Sequence, residues 1–534
     1  MSPTSTPPVA SESSSAQPAP TRAFEKLSPV TGESQGTFTI TDEAGVDAAV
    51  RRARAAFPAW RDLGLQGRIE VLNRLQPVLL EHCESFARRI SEDTGKPLQE
   101  SIITELLAIW LYHDYNRKHA ARVLGRRKVK TPIVFAGKQS YIEYFPRGVV
   151  GVISPWNYPL QLAVAPMLAA LIGGNTVVLK PSEVTPLTGL LAEELFKRVG
   201  LPEGVVEVVH GDGSTGAALT RSDIDMVFFT GSVATGRKVM AAAAERPIPC
   251  ELELGGKDAF IVCADANLER AARAAVWGGL VNCGQTCISV ERIFVVDSVH
   301  DRFVQLVREV VESLRQGGPE EFADVGPMIF ARQLSTVERH IADAKERGAE
   351  ILTGGARLER PGHFFPPTLL SGVTPDMAIY REETFGPVLP VIRVTDENEA
   401  IRLANEHQYG LNGSVWTRDI QKGLRLASRL ECGQASVNDV INTTGHPGLP
   451  FGGVKSSGIG RYHGEDGLRA FMHTKGIMVD RGLLSNEPTW FPYGEAKLSS
   501  VVSLAKGVIG GSLPRTIGAF IKLLRGSGSD AKRS

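Results

Sequence analysis

The stretch VNCGQTCISVER, Val281 to Arg292, holds Cys283 and Cys287 four residues apart. Such a pair can bind a metal, cycle between thiol and disulfide, or supply one nucleophile beside an inert neighbour. Zinc asks for three or four protein ligands. No histidine or further cysteine lies at ligand spacing here, so no metal is expected. A Cys283–Cys287 disulfide is left as an oxidative event. A lone internal cysteine is most often a small buried hydrophobe, and only the rest of the chain can promote one to a nucleophile.

Two glycine turns are the next candidates. VVHGDGSTGAAL sets Gly211, Gly213 and Gly216 in G-x-G-x-x-G spacing between a strand and a helix. That spacing predicts a pyrophosphate on a helix N-terminus. The plain alternative is a turn that needs a flexible backbone. The fingerprint belongs after the first strand of its unit, whereas this one follows the third. FFTGSVATGRKV sets Gly231 and Gly236 in G-x-x-x-x-G spacing. Arg237 and Lys238 stand where a Walker A loop requires Lys and Ser/Thr. The turn still offers backbone N–H groups and the Ser232 hydroxyl to a phosphate at a helix start.

The elements that must position these residues follow from periodicity. Residues 40–125 read mostly as helix, with apolar residues at helical spacing in VDAAVRRARAAFPAWRDL. SYIEYF alternates like a strand. GVVGVIS, TVVLK, VVEVV and DMVFFTG are short apolar strands, separated by helices such as LQLAVAPMLAALIGG and LTGLLAEELFKRVG. Apolar strands alternating with helices predict a parallel, doubly wound α/β sheet. Ligands of such sheets sit beyond the carboxyl ends of the strands. After Gly255 the pattern restarts as a second α/β unit, with helices near 268–281 and 299–315 and the strands RIFVV and LPVIRV.

Composition narrows the function class. The chain has 534 residues, enough for two or three domains, and 43% are hydrophobic. Fifty-nine basic residues balance fifty-nine acidic ones. No nucleic-acid partner is expected from a chain without a basic excess. Six cysteines make no disulfide framework, which fits a reducing, cytoplasmic setting. Residues 1–22 are rich in Ser, Pro, Thr and Ala with no apolar run. They read as a disordered tail rather than a secretory signal or a transit peptide.

Seven motifs then occur in order: SPWNYP with Trp156 and Asn157, LKPSEVTP with Lys180 and Glu183, FTGSVATG with Gly231 and Ser232, ELGGKD with Glu253, GQTC with Cys287, EETFGPV with Glu383 and Phe385, and LPFGGVKSSGIGR at 449–461. The series resembles the NAD(P)-dependent aldehyde dehydrogenase superfamily over roughly Phe24 to Asp480. The resemblance implies an aldehyde dehydrogenase-like fold: a Rossmann-type cofactor domain (23–127 and 146–254), an α/β catalytic domain (255–452), a small oligomerisation β-arm (128–145 and 453–481) and a C-terminal amphipathic tail (482–534). It implies Cys287 as nucleophile, Asn157 with the Cys287 backbone N–H as oxyanion hole, and Glu253 as general base. It implies contact with NAD, or NADP as the alternative, at Ser154, Trp156, Lys180, Glu183, Gly231, Ser232, Gly236, Leu254, Glu383 and Phe385. A carboxylate at Glu183 accepts a ribose 2′-hydroxyl and repels a 2′-phosphate, which favours NAD. The turn at 211–216 is shorter than the family's usual G-x-G-x-x-x-G form.

The implied chemistry is sound on its own terms. A carbonyl carbon does not release hydride, but a thiohemiacetal carbon does. Cysteine is the best nucleophile for forming one. The resulting thioester needs an activated water to release the acid. By the same resemblance Tyr158, Gln161, Thr286, Ile288 and Phe451 border the substrate. Relatives specific for succinic semialdehyde place arginines six before the nucleophile and eight after the asparagine. Here those places hold Val281 and Ala165. A neutral, partly apolar aldehyde is therefore favoured, with succinic semialdehyde as the rival. A CoA-acylating relative and a catalytically silent scaffold are the competing classes; Glu253 in its motif argues against the first, and the complete Cys–Asn–Glu set against the second. YIEYF and KGIMVDRG resemble oligomerisation strands, so a homodimer or homotetramer is expected. Residues 497–526 are apolar with scattered Lys and Arg, broken at Gly510–Gly511 and Pro514. Neither half reaches the ~20 residues of a spanning helix. They read as a helix packed on the subunit or as an interfacial membrane anchor.

Overall fold

The computed structural model describes residues 22–482, 487, 489–491 and 493–529. Residues 1–21 lie outside the described part, and with them nearly all of the expected disordered tail. Two α/β sheets form the body. The first has six strands in the order Gly458–Ile459, Cys250–Glu253, Met226–Thr230, Val149–Ile153, Thr176–Lys180, Val206–Val208. All its pairings are parallel except the one made by Gly458–Ile459. The second has seven strands, with Asp258–Val262, Val290–Val296, Thr368–Ser371, Val388–Val394, Asn412–Trp416 and Gln434–Val437 pairing in parallel and Glu350–Thr353 antiparallel at one edge.

The first sheet is wound from its middle. The chain enters at Val149–Ile153, moves outward through Thr176–Lys180 to Val206–Val208, then returns to Met226–Thr230 on the other side. The crevice at this reversal, beyond the carboxyl ends of Val149–Ile153 and Met226–Thr230, is where doubly wound sheets bind ligands. Ser154 and Gly231 follow those two strand ends directly. The G-x-G-x-x-G turn instead follows the edge strand Val206–Val208. Helix Gln161–Gly173 is apolar on every side and buried along its whole length, as the central layer of such a fold requires. It ends at Gly174, whose φ of 99° only glycine adopts without strain.

The chain passes between the sheets in four residues. Glu253 ends one strand of the first sheet, and Asp258 starts the first strand of the second. Three smaller features differ from the sequence reading. The 40–125 region contains a π-helical turn at Ser101–Leu107, which periodicity at 3.6 does not reveal. Two strands, Ala23–Leu27 and Ser34–Thr39, precede it. Within 453–481 only Met472–Val479 joins the arm, pairing with Gln139–Pro146, which in turn pairs with Arg127–Val129. Gly458–Ile459 pairs with Leu252–Glu253 instead, because two residues of extended backbone suffice to cap a sheet edge. The tail forms two helices, Glu495–Ile509 and Leu513–Ser529, packed on each other.

Candidate active site

A cavity of about 880 Å³ lies between the two sheets. Cys287, Asn157 and Glu253 all line it, together with Ser154, Trp156, Lys180, Glu183, Gly231, Ser232, Leu254, Glu383 and Phe385. Twelve of the thirteen residues expected at the site thus meet in one space. Gly236 stands behind it: a Cβ there would lie 2.6 Å from Leu254 Cδ2, so the missing side chain seats Leu254.

The backbone before Cys287 is held in an uncommon shape. Asn282, Cys283 and Gly284 have φ of 53°, 55° and 71°. Left-handed backbone costs a non-glycine residue ~1–2 kcal/mol, so a surrounding network must impose it. Asn282 N donates to Glu100 Oε2 at 2.9 Å, and Asn282 Nδ2 donates to the Asn157 carbonyl at 2.8 Å and the Gln285 carbonyl at 3.1 Å. Gln285 Nε2 donates back to the Asn282 carbonyl at 2.9 Å, and its Oε1 accepts from Ile329 N at 2.9 Å. A Cβ on Gly284 would meet the Gly386 carbonyl at 2.1 Å. The motif Gly284-Gln285-Thr286 is therefore a template for one tight turn that presents Cys287. Cys283 points away, buried, with its thiol 3.8 Å from Met328 Sδ.

Asn157 is held from the other side. Its Nδ2 donates to the Gln285 carbonyl at 3.0 Å, and its own carbonyl accepts from Lys96 Nζ at 2.9 Å. Lys96 pairs with Glu105 at 2.8 Å, both wholly buried. Glu105 Oε2 accepts from Leu160 N and Gln161 N at 3.0 and 2.7 Å, so it caps the positive end of the buried helix. Lys96, Glu100, Glu105 and Asn282 were not found by sequence reasoning. Lys96 and Glu105 lie over fifty residues before Asn157, and nothing local to TGKP or to the π-turn says what they face.

The electrostatics favour protonated groups. Burial pushes the Cys287 thiol up, and Asp258, Glu383 and Glu253 push it further. Glu253 is also raised well above the carboxylate range by burial and by Glu251, with Arg461 opposing. Neither Glu253 carboxylate oxygen has a hydrogen-bond partner. A buried carboxyl without partners is costly unless something it serves arrives there.

The phosphate end separates the two glycine turns. Ser232 caps helix Val233–Ala244 with a neutral hydroxyl that accepts from Thr235 N at 3.3 Å, so the helix's positive end faces the cavity uncompensated. At the other turn the Asp212 carboxylate caps its own helix at Ser214 N, 2.8 Å away, and Arg22 pairs with it at 2.9 Å. A carboxylate already occupies that positive end. Gly211 is needed because a Cβ there would lie 2.1 Å from Thr215 Oγ1. Gly213 and Gly216 do border the cavity. The flexible-turn reading of G-x-G-x-x-G is the one this geometry favours.

The remaining donors fit a dinucleotide. Lys180 Nζ lies 2.9 Å from Glu183 Oε2, a cation–carboxylate pair suited to ribose hydroxyls. Ser154 Oγ is buried without a partner. Glu383 Oε1 accepts from Gly256 N at 3.1 Å, and burial pushes this carboxyl up to about 8. Phe385 (φ 51°) is pinned by its N–H to Glu291 Oε1 at 2.9 Å, and its ring meets Trp156 edge-on at 5.3 Å. Tyr158, Gln161, Thr286, Ile288 and Phe451, expected to border the substrate, are all buried but do not line this cavity, and Val281 and Ala165 are buried too. Tyr158 OH bonds Thr286 Oγ1 at 2.7 Å, and Phe451 packs edge-on to Tyr462.

Comparison with known proteins agrees with this fold. The family model for the aldehyde dehydrogenase family matches residues 16–477. A 4,4'-diapolycopene aldehyde oxidase of Methylomonas is 44% identical over 468 residues, 88% of each chain. A Mycobacterium ulcerans protein, provisionally named as NADP+ succinate-semialdehyde dehydrogenase 2, is 36% identical over 479 residues, 89% of this chain and 91% of its own. Among solved structures, a Mycobacterium tuberculosis aldehyde dehydrogenase complexed with NAD+ superposes with a TM-score of 0.82 at 39% identity, covering 86% of this chain and 95% of that one. An NAD+ complex of a Bacillus cereus aldehyde dehydrogenase also gives 0.82, at 36% identity over 86% and 94% of the two chains.

Proposed function

The chain belongs to the aldehyde dehydrogenase family, and from that premise we propose how its own residues divide the oxidation of an aldehyde to a carboxylic acid with NAD(P)+. Cys287 gives its thiol proton to water in the open cavity, and Sγ adds as the thiolate to the carbonyl carbon. The new oxyanion accepts hydrogen bonds from Asn157 Nδ2 and the Cys287 backbone N–H. Asn157 can do this because an amide has two N–H donors and the Gln285 carbonyl occupies one. The nicotinamide, when bound, supplies the acceptor for the hydride lost from the thiohemiacetal carbon. Glu253 then takes a proton from water, the hydroxide attacks the thioester, and the product leaves as a carboxylate while its hydroxyl proton returns to the Cys287 thiolate. The observation that carries this reading is the convergence of a partnerless Glu253 and Cys287 on one cavity.

Residues 23–127 and 146–254 form the cofactor unit of this scheme and 255–452 the catalytic one. Lys180 and Glu183 hold the adenosine ribose, Gly231 and Ser232 the pyrophosphate, and Glu383 the nicotinamide ribose. Ser154, Trp156, Leu254 and Phe385 line the ring's place. The Glu183 carboxylate favours NAD over NADP. The substrate is a neutral, apolar aldehyde: Val281 and Ala165 offer no cation to a carboxylate, and Lys96, 4.3 Å from the Tyr158 ring, is already paired with Glu105.

The test is NAD(P)H formation with a panel of aldehydes. Apolar aldehydes of six to ten carbons are expected to exceed succinic semialdehyde in kcat/KM by roughly tenfold or more. The reverse order would overturn the substrate reading, and CoA-dependent turnover the hydrolytic one. Cys287→Ser is expected to abolish turnover while Cys283→Ser retains it.

The assembly and its location complete the proposal. Strand Met472–Val479 leaves one edge of the three-stranded arm open, which suits pairing with a second copy in a homodimer or homotetramer. The tail is assigned to an anionic membrane surface. Helix Glu495–Ile509 exposes Leu498, Val501, Val502, Ala505, Val508 and Ile509, one stripe at helical spacing, and buries Ser500 and Gly507. A helix in water has the opposite arrangement. Lys497 and Lys506 fall roughly 80–100° to either side of the stripe on a helical wheel. From Lys497 to Arg525 there are five basic residues and no acidic one. No helix among the described residues is long and apolar enough to cross a membrane, so the contact is peripheral.

A further inference from the structure

The mechanism leaves a half-buried carboxyl unused. Glu251 stands two residues before Glu253 on the strand Cys250–Glu253, so both side chains leave the same face. Two residues along a strand span roughly 6.5–7 Å between Cα atoms, so the two side chains run side by side. Glu253 lines the cavity and Glu251 does not. Glu251 therefore lies behind the base, on the side away from substrate and cofactor.

A glycine floor runs under both groups. A Cβ on Gly452 would lie 2.9 Å from Glu253 Oε1, and one on Gly460 would lie 1.3 Å from Glu251 Oε2. The two glycines are themselves adjacent, since the Gly452 Cβ would also meet the Gly460 carbonyl at 2.6 Å. No other residue type leaves room for the carboxyls there. Arg461 crosses this floor, yet its guanidinium donates to the carbonyls of Gly453 and Gly460, at 2.7 and 2.6 Å. Glu251 Oε2 and both Glu253 oxygens are buried without hydrogen-bond partners. The Arg461 backbone N–H anchors the rest of the Glu251 carboxyl, so one of its oxygens is held and the other stays open.

We propose that Glu251 is the proton exit for Glu253: the proton that Glu253 takes from the hydrolytic water passes to the Glu251 carboxylate over the Gly452–Gly460 floor and leaves to solvent past Arg147. The inference rests on Glu253 being the base. The balance is simple. Water gives its proton to Glu253 and its hydroxide to the thioester carbon. Glu253 gives the proton to Glu251 and is a carboxylate again. Glu251 gives it to bulk water, one proton per turnover. A second route matters because cofactor and acyl group fill the cavity that Glu253 faces.

The charged surroundings suit a relay. Burial pushes Glu251 up to about 7, with Arg147 and Arg461 opposing. Glu253 is raised by burial and then by Glu251 itself, with Arg461 opposing. Cys250 feels Glu251, and Cys287 and Tyr462 feel Glu253. Arg147, half-buried, donates through Nε to the Ala470 carbonyl at 3.0 Å and so stays beside the exit.

Glu251→Gln in the full-length protein tests this. The steady-state rate is expected to fall roughly tenfold or more at neutral pH, within the range of general acid–base effects. Acyl-enzyme on Cys287 should accumulate, seen as added mass after quenching, while the first turnover of NADH keeps its rate. The wild-type kcat profile should fall on the acid side of pH ~7, where Glu251 retains its proton, and Glu251→Gln should lose that limb. Glu251→Asp should restore at least half of the rate, which also controls for folding. An unchanged rate and pH profile in Glu251→Gln, with no acyl-enzyme, overturns the relay. Turnover persisting in Glu253→Gln would instead sink the base assignment, so the two failures are told apart.

Discussion

Helix Gln161–Gly173 and helix Glu495–Ile509 are written in much the same alphabet. Both are rich in Ala, Val and Leu, and each is followed closely by glycine. The first is buried at every position, and even Gln161 is 5% exposed. The second exposes its large apolar residues, with Ile509 87% exposed, and turns serine and glycine inward. The difference lies in what each helix meets. The first has a sheet on one side and helix Ala108–Leu124 on the other, and its start is tied by Glu105. The second meets chiefly its own partner helix, across a contact so close that a Cβ on Gly507 would lie 2.7 Å from Thr516 N. Apolar content thus says that a helix needs a nonaqueous neighbour, and not which one.

Three measurements bear on this contrast, from the largest effect down. Lys96→Met strips the partner from buried Glu105, which caps the inner helix. It should cost about 3–5 kcal/mol in chemical denaturation. It should also lower kcat, because the Asn157 carbonyl loses its ammonium donor. Adding Glu105→Gln should recover much of the stability, and failure to do so would mean the ion pair is not what ties this helix down. Next, Leu168→Ala in the buried helix should cost about 2–5 kcal/mol, whereas Ile509→Ala should stay within about 0.5 kcal/mol. A comparable loss at Ile509 would make the tail part of the core and erase the contrast. Smallest in stability terms is Val501→Glu with Ile509→Glu. Unfolding and kcat on a water-soluble aldehyde should not change. Binding to anionic lipid vesicles, seen by co-sedimentation, should fall roughly tenfold or more. Retained vesicle binding, or a change of oligomeric state instead, would show that a second copy covers the stripe.

The two glycine turns carry the same lesson at smaller scale. The better match to a nucleotide fingerprint, 211–216, is closed by the Asp212 carboxylate at its own helix start. The poorer match, 231–236, has a neutral Ser232 cap and stands at the point where the sheet reverses. A spacing rule counts glycines, but an anion responds to charge and to position in the sheet. The two cysteines divide in the same way. Cys283 is turned to Met328 by its own left-handed backbone, and Cys287 faces the cavity.

The seven ordered motifs, and with them the α/β architecture and the family, were legible in the sequence because each depends on short-range features: a strand, a turn and the residue at its end. Helices and strands followed from periods of 3.6 and 2, which need only neighbours a few residues away. What faces what could not be read in that way. Lys96, Glu100 and Glu105 reach Asn157, Asn282 and Leu160 respectively, from some fifty to one hundred and eighty residues off. Glu251 looks like any strand residue until the glycines at 452 and 460 are brought under it. The sequence by itself determined which elements form and which chemistry the chain can carry. Only the tertiary structure decided which charges are paired, which carboxyls are left without partners, and which apolar helix remains uncovered, because burial and desolvation exist only once distant segments have closed around a group.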